Sequence, residues 1–330
     1  MPDKTLSVSW LNGQLRFLHI REDQTVATWE CSGRVEDLGT PTLDLPALLR
    51  EAVQQTGYTG TNVALMLQHP RLIHQLVDMP PAQGKEALLY IERLVKQCKI
   101  SEEDMAWGWQ PAESIKLNKG LVLYMFPQRL QDQLIQGCRE AGLHLLVMVS
   151  TSVVLGSQLA ELPLQDGEII LLAAEIEGET AVVVGRKQGP VFSERSLRHC
   201  WHKGPARVVL EINRSIRFVK QQFGADVQSI CFFGPGAEQQ CELMVDEAQV
   251  PVRLSPVGFT PFYWAEQLLK IAPSAFPNLI SQRHREAPRR RALARLTAFL
   301  TAGLLVVPAL VLSAWVEIRV SSQSSAVANV

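Results

Sequence analysis

His199, Cys200 and His202, crowded around Trp201, are the tightest grouping of metal-ligating residue types in the chain. A tetrahedral zinc site needs ligand pairs at characteristic spacings, and the absence of a matching second pair makes this stretch read as a loop. The six cysteines, Cys31, Cys98, Cys138, Cys200, Cys231 and Cys241, lie in mostly apolar runs with no CxxC pair, which suits reduced, buried thiols of a cytosolic compartment. Glu102, Glu103 and Asp104 read as a solvated face rather than a paired general acid and base. His69, His74 and His144 stand singly, as structural histidines do. No GxSxG elbow, HExxH or Walker Gly-Lys-Ser/Thr motif occurs. Gly234-Pro235-Gly236 would let a chain turn closely past a ligand, but such a turn after a strand is more often ordinary punctuation.

The elements that must position these residues belong to a folded α/β protein. The 330 residues are 47% hydrophobic, enough for a sizeable core. Lys+Arg at 32 against Asp+Glu at 33 leaves no net field to attract nucleic acid, so a nucleic-acid partner is not expected. Met1 to Lys4 lead directly into alternating residues without the apolar stretch of a secretory signal. From Leu296 to Trp315 the chain carries no charge, and a helix of about 20 residues spans a bilayer core. Arg283, Arg285, Arg289, Arg290, Arg291 and Arg295 precede it, whereas Glu317 and Arg319 follow, so the positive-inside rule places the N-terminal side in the cytoplasm. Trp315 would sit at the far interface.

Leu6-Val8-Trp10, Leu15-Phe17-His19 and Val26 to Cys31 alternate as strands joined by an Asn12-Gly13 turn and a second polar turn. A helix follows, with Asp44 as N-cap, Pro46 in its first turn and Gly57 closing it, and then a strand at Val63-Leu65-Leu67. The order recurs: strands Ile169 to Ala173, Ala181 to Val184 and Pro190 to Phe192, a helix from Pro205 to Gly224, and a strand Ser229 to Phe233. This duplication predicts two similar α/β halves. Between them, strand Leu72 to Val77, helix Glu86 to Cys98, strands Met105 to Trp109 and Leu121 to Phe126, helix Arg129 to Ala141 and strand Leu143 to Val149 follow the order of a ferredoxin-like subdomain.

In element order over residues 5 to 258, the chain resembles the PilM family of actin-like type IV pilus assembly proteins and the related cytoplasmic region of the type II secretion protein GspL. Three stretches carry the resemblance: LVLYMFPQRLQDQLIQGCREAGLHLLVMVSTSVVLGSQL, VVLEINRSIRFVKQQFG and SICFFGPGAEQQCELM. It implies a duplicated actin-like, ribonuclease H-like α/β fold. Residues 1–68 and 143–160 would form the first actin-like subdomain, 69–142 a ferredoxin-like insertion and 161–280 the second subdomain. A basic linker 281–295, one transmembrane helix 296–315 and a short periplasmic tail 316–330 would follow.

The resemblance also implies where ATP and Mg²⁺ would bind, at two Asp-x-Gly phosphate hairpins and a late glycine-rich turn. The first aspartate falls on Ser9 and its glycine on Leu11, with Arg16 at a cationic position. A hard cation needs anionic oxygen, and phosphate needs close backbone approach; a serine and a leucine supply neither. The second aspartate falls on Ala174 or Glu175, and its glycine is displaced to Gly178. Gly234 and Gly236 take the late turn. The expectation is a pseudo-ATPase without cofactor. It would be a bacterial inner-membrane scaffold joining a cytoplasmic motor ATPase to bitopic or polytopic assembly proteins, and self-association is compatible with it. In PilM systems the anchor belongs to a separate bitopic protein; here it lies in the same chain, as in GspL. The alternative is an active membrane-anchored ATPase using Glu175, Arg16 and Gly236.

Overall fold

Asn12 and Gly13, at φ 46° and 85°, supply the two positive-φ positions that fit a two-residue hairpin to the twist of its strands. They join β1 (Thr5–Leu11) to β2 (Gln14–Arg21), and β3 (Gln24–Glu30) pairs on the far side of β2. In α1 (Leu45–Thr56), Asp44 caps the start by accepting from the Ala47 amide at 2.9 Å, and left-handed Gly57 closes the end. The chain then enters β4 (Asn62–Gln68), parallel to β1. In this computed structural model the described residues are 5–21, 24–31, 43–80, 84–97, 103–115, 118–187, 191–197, 201, 204–256, 258–270 and 277–280, with 284 and 297 as single positions.

Next come β5 (Ile73–Met79), α2 (Gly84–Gln97), β6 (Met105–Ile115), β7 (Asn118–Pro127), α3 (Gln128–Glu140) and β8 (His144–Ser150). The ferredoxin-like expectation for residues 69–142 is corrected here. β5, β7 and β6 form a three-stranded antiparallel sheet in that order, with α2 on it, while β8 joins the first sheet, whose order is β3-β2-β1-β4-β8. The physical reason lies in α3 and in the strand after it. Leu130, Leu134 and Cys138 of α3 bury against Leu45 and Leu49 of α1 in the first core, and the turn at Gly142 returns the chain beside β4.

The second half repeats the pattern. After α4 (Thr151–Ser157) come β9 (Ile169–Ile176), β10 (Glu179–Arg186), β11 (Ser193–Leu197), α5 (Pro205–Phe223), β12 (Ser229–Phe233), α6 (Ala237–Val245) and β13 (Val252–Leu254), with sheet order β11-β10-β9-β12-β13. The third strand of this half starts at Ser193, whereas the sequence suggested Pro190 to Phe192; Val191 instead bridges Ala112 of β6. Finally α7 (Tyr263–Lys270) returns to the first half, where Ser7 of β1 donates to the Ala265 carbonyl at 2.7 Å. The range 161–280 expected for the second subdomain is corrected to that extent. α7 buries Trp264 and Leu268 in the first core because their apolar faces match β1 and β4.

Contacts divide the chain into two units, Met1–Ser281 and Gln282–Val330. Among the described residues no helix is long and apolar enough to cross a membrane. Apart from the single position 297, the span expected at Leu296 to Trp315 lies outside the described residues, as do the arginines at 283, 285, 289, 290, 291 and 295.

Candidate functional site

The tips of two equivalent hairpins meet. Glu177 and Gly178, at φ 47° and 85°, form between β9 and β10 the same kind of turn that Asn12 and Gly13 form between β1 and β2. Asn12 Nδ2 donates to the Glu177 carbonyl at 2.5 Å. Arg16 on β2 donates through one terminal nitrogen to the Glu177 carboxylate at 2.5 Å and through Nε to Glu30 at 3.0 Å. Its side chain, only 13% exposed, is thus shared between two carboxylates, each taking one charge-assisted bond. On the adjoining strand Gln68 Nε2 donates to Glu179 at 2.7 Å.

Each residue expected at the nucleotide site has a definite place. Ser9 is buried on β1, opposite Arg16 on β2 and Met66 on β4. Leu11 is buried in the first core. Glu175 lies on β9 opposite Thr180 and accepts from Gln240 Nε2 of α6 at 3.2 Å, while Ala174 faces Ala181 in the core. Gly178 is a turn residue. Gly234 and Gly236, both left-handed, lead β12 into α6, with Gly236 as its N-cap. The fold therefore gathers Arg16 with the Gly178 turn, and Glu175 with the Gly234–Gly236 turn. Asn12, Glu177 and Gln240 complete the arrangement without having been singled out as site residues. Asn12 and Glu177 were visible only as turn chemistry, Gln240 carried no signal on its helix, and the contact between the turns is a tertiary fact.

The polarity of the region bears on what it could hold. Among the described residues, Arg16 is accompanied at the two turns by carboxyl side chains: Glu30, Glu175, Glu177 and Glu179. The buried side-chain oxygens there that lack a hydrogen bond, Gln68 Oε1 and Gln240 Oε1, are acceptors, the wrong sense for phosphate. Beside Gly234 stands Phe259, stacked on Tyr263 at 5.4 Å within a cluster that includes Phe233 and Trp264. Among the described residues no three His, Cys, Asp or Glu side chains converge as metal ligands. Cys200, His199 and His202 lie outside them, while Trp201 packs on Phe232. Burial pushes the Cys138 thiol up to about 12 and Cys231 to about 11, which leaves both unreactive near neutrality. Arg71 pairs with Glu103 at 3.6 Å on the surface, whereas Glu102 lies outside the described residues.

A second polar cluster joins the three-stranded sheet to the second half. Glu194 of β11 is buried, and accepts from the Tyr124 hydroxyl of β7 and from Gln110 Nε2 of β6. Burial raises its carboxyl to about 7 although both bonds favour ionisation. His74 of β5 lies edge-on to the Tyr124 ring and meets Ser150 Oγ at 2.9 Å. Burial lowers it to about 4, so the imidazole is neutral; a base this weak is poorly matched to activating a serine near neutral pH. His69 accepts from the Arg71 amide at 3.1 Å, and His144 is lowered by burial and by Arg139.

No family model matches the chain, and no curated protein matches it by sequence. Solved structures do match. A PilM-PilN type IV pilus biogenesis complex aligns with 14% identity and a TM-score of 0.63 over 86% of this chain and 99% of that one. The cytoplasmic domain of EpsL, an inner-membrane component of the Vibrio cholerae type II secretion system, aligns with 13% identity and a TM-score of 0.50 over 85% and 99%. A Bacteroides thetaiotaomicron protein with an actin-like ATPase fold and unknown function aligns with 12% identity and a TM-score of 0.51 over 82% and 97%. Two halves of equivalent strand order, meeting at their first hairpins, thus form the actin-like ATPase fold.

Proposed function

We propose that this protein is an actin-like scaffold of the inner-membrane platform of a type IV pilus or type II secretion machine. It joins a cytoplasmic motor ATPase to membrane assembly proteins without hydrolysing ATP. The observation that carries the second part is the bond between the hairpin tips. A phosphate held between two such hairpins needs their backbone N–H groups, a cation and open space. Here Asn12 bonds the Glu177 carbonyl directly, and Arg16 is already neutralised by Glu177 and Glu30. Ser9 and Leu11 are buried in strand β1 and offer no carboxylate for Mg²⁺. The platform part is supported by the fold shared with a protein of a pilus complex and with an inner-membrane secretion component. It is supported further by the apolar stretch Leu296 to Trp315 behind six arginines, which would make this chain its own anchor.

Calorimetry of the purified full-length chain with ATP and Mg²⁺ tests the nucleotide reading. No binding tighter than about 100 μM, near −5.5 kcal/mol, is expected, and tighter binding would return the protein to the active ATPases. In-cell crosslinking tests the scaffold reading, with a motor ATPase expected among the captured proteins; its repeated absence would overturn the link to a motor.

A further inference from the structure

Strand β10 of the second half is fastened to the first half at both of its ends. At its first residue, Glu179 accepts from Gln68 of β4 at 2.7 Å, and in the turn just before it Glu177 takes bonds from Asn12 and Arg16. At its last residue, Arg186 donates to Glu113 of β6 at 2.7 Å, and its guanidinium lies 5.0 Å from the centre of the buried Phe192 ring. Eight residues of strand separate the two fastenings by about 24 Å. The far fastening is made by the inserted three-stranded sheet, which the chain enters from β4 and leaves through α3 into β8. By chain it belongs to the first half. Its edge strand β6 nevertheless spends its outer side on the second: the Glu113 amide donates to the Val191 carbonyl at 2.9 Å, and Ala112 forms a parallel bridge with Val191. Further along, the buried Glu194 carboxyl of β11 accepts from the Tyr124 hydroxyl of β7 and from Gln110 Nε2 of β6.

We propose that the inserted sheet is a strut that holds the two halves of the fold at one fixed angle and so disables rotation of one half on the other. A hinge needs a single line of attachment about which the remainder can swing. Two attachments at opposite ends of one strand remove that freedom, because turning about either end tears the other. Tearing is costly at the strut: parting the sheet from the second half leaves a backbone amide and the buried donors of Tyr124 and Gln110 without these acceptors, and each unmet group carries its desolvation cost. The contact is also varied in kind. A backbone bridge sets the spacing of the two sheets, the Arg186 pair fixes the end of β10, and the Glu194 bonds fix β11, so no single side chain sets the angle. In the scaffold reading such a strut carries load from one half to the other without loss in a hinge, but the strut itself does not rest on that reading.

The test measures the distance between the halves in the full-length chain in mild detergent. Nitroxide labels are carried on p-acetylphenylalanine placed at Gln55 of α1 and Gln239 of α6, exposed positions on the two halves, which leaves the native cysteines untouched. With the strut intact, pulsed electron resonance should give one narrow distance distribution. Glu113→Pro removes both the carboxylate that pairs with Arg186 and the amide that donates to Val191, and Tyr124→Phe takes the hydroxyl from Glu194. In the double variant the distribution should widen or shift by about 6 Å, the travel of one end of a lever of about 24 Å turned by about 15° about the other. A broad or two-peaked distribution with the strut intact would overturn the proposal. So would an unchanged narrow one in a double variant that circular dichroism shows to be folded, since the exchanged helices α4 and α7 would then suffice to hold the halves. Should the double variant not fold, hydrogen exchange on wild type decides. A Glu113 amide as slow as those of β7 supports the strut, and one exchanging at the free-chain rate while β7 stays protected refutes it. Neither readout involves a motor ATPase, so failure here leaves the scaffold reading standing, and the converse also holds.

Discussion

Glu194 meets the Tyr124 hydroxyl and His74 its ring, and both resist charging for the same reason, burial, yet with opposite signs. Glu194, raised from 4.5 to about 7, stabilises the fold when protonated; that contribution is complete below pH 4.5 and is lost as pH rises through 7. His74, lowered from 6.5 to about 4, stabilises when neutral; its contribution is complete above pH 6.5 and is lost as pH falls through 4. Between about pH 4.5 and 6.5 the two slopes oppose each other, each of order 1.4 kcal/mol per pH unit. Urea unfolding across this range should show the balance. Relative to wild type, Glu194→Gln should gain stability as pH rises, and His74→Gln should gain it as pH falls. Parallel curves for wild type and both variants would mean that neither group is held in its neutral form. Both residues were visible in the sequence, but nothing local distinguishes a His read as structural, or a Glu between Ser193 and Arg195, from a solvated one. Their desolvation comes from strands far apart in the chain: Tyr124 and Glu194 are 70 residues apart, and His74 and Ser150 are 76.

At the scale of elements, the hairpins and caps were legible and their partners were not. Asp44, Pro46 and Gly57 bound α1 as read, and Gly224 ends α5 as read, because caps act within one turn of chain. The strand after Gly142 was also read correctly as a strand, and the range 143–160 gave it to the first half, yet the ferredoxin-like order that counted α3 and this strand with the insertion failed. Which sheet a strand joins depends on the core that receives its helix, and α3 packs on α1 rather than on β5 to β7. The same limit hid the meeting of the two turns. Arg16 holds the hairpins together through Glu177 and Glu30, so Arg16→Ala should lower stability in urea by about 1–3 kcal/mol, the range for charge-assisted bonds left half-made. A change within error would show that Asn12 alone closes the junction.

For the whole molecule, two actin-like halves exchange terminal helices, α4 reaching the second sheet and α7 the first, and the Leu279 amide then donates to the Met148 carbonyl of β8. The scaffold reading makes the C-terminal stretch a membrane anchor. Full-length protein reconstituted in liposomes should accordingly resist carbonate extraction, and Leu304→Asp with Leu305→Asp should release it, since each aspartate costs about 2.5–3.5 kcal/mol at a helix centre. Extraction of wild type would remove the anchor. The sequence by itself determined the duplicated order of strands and helices, the caps and turns, and the lack of an aspartate at Ser9, all of which depend on residue type and short spacing. Only the tertiary structure decided that the turns at Asn12 and Glu177 bond to each other, that α3 packs on α1 in the first core, and that Asn278 bonds the backbone of β8. Each is a pairing between segments far apart in the chain, selected by which buried polar groups and apolar faces complement one another, and residue spacing carries no record of that choice.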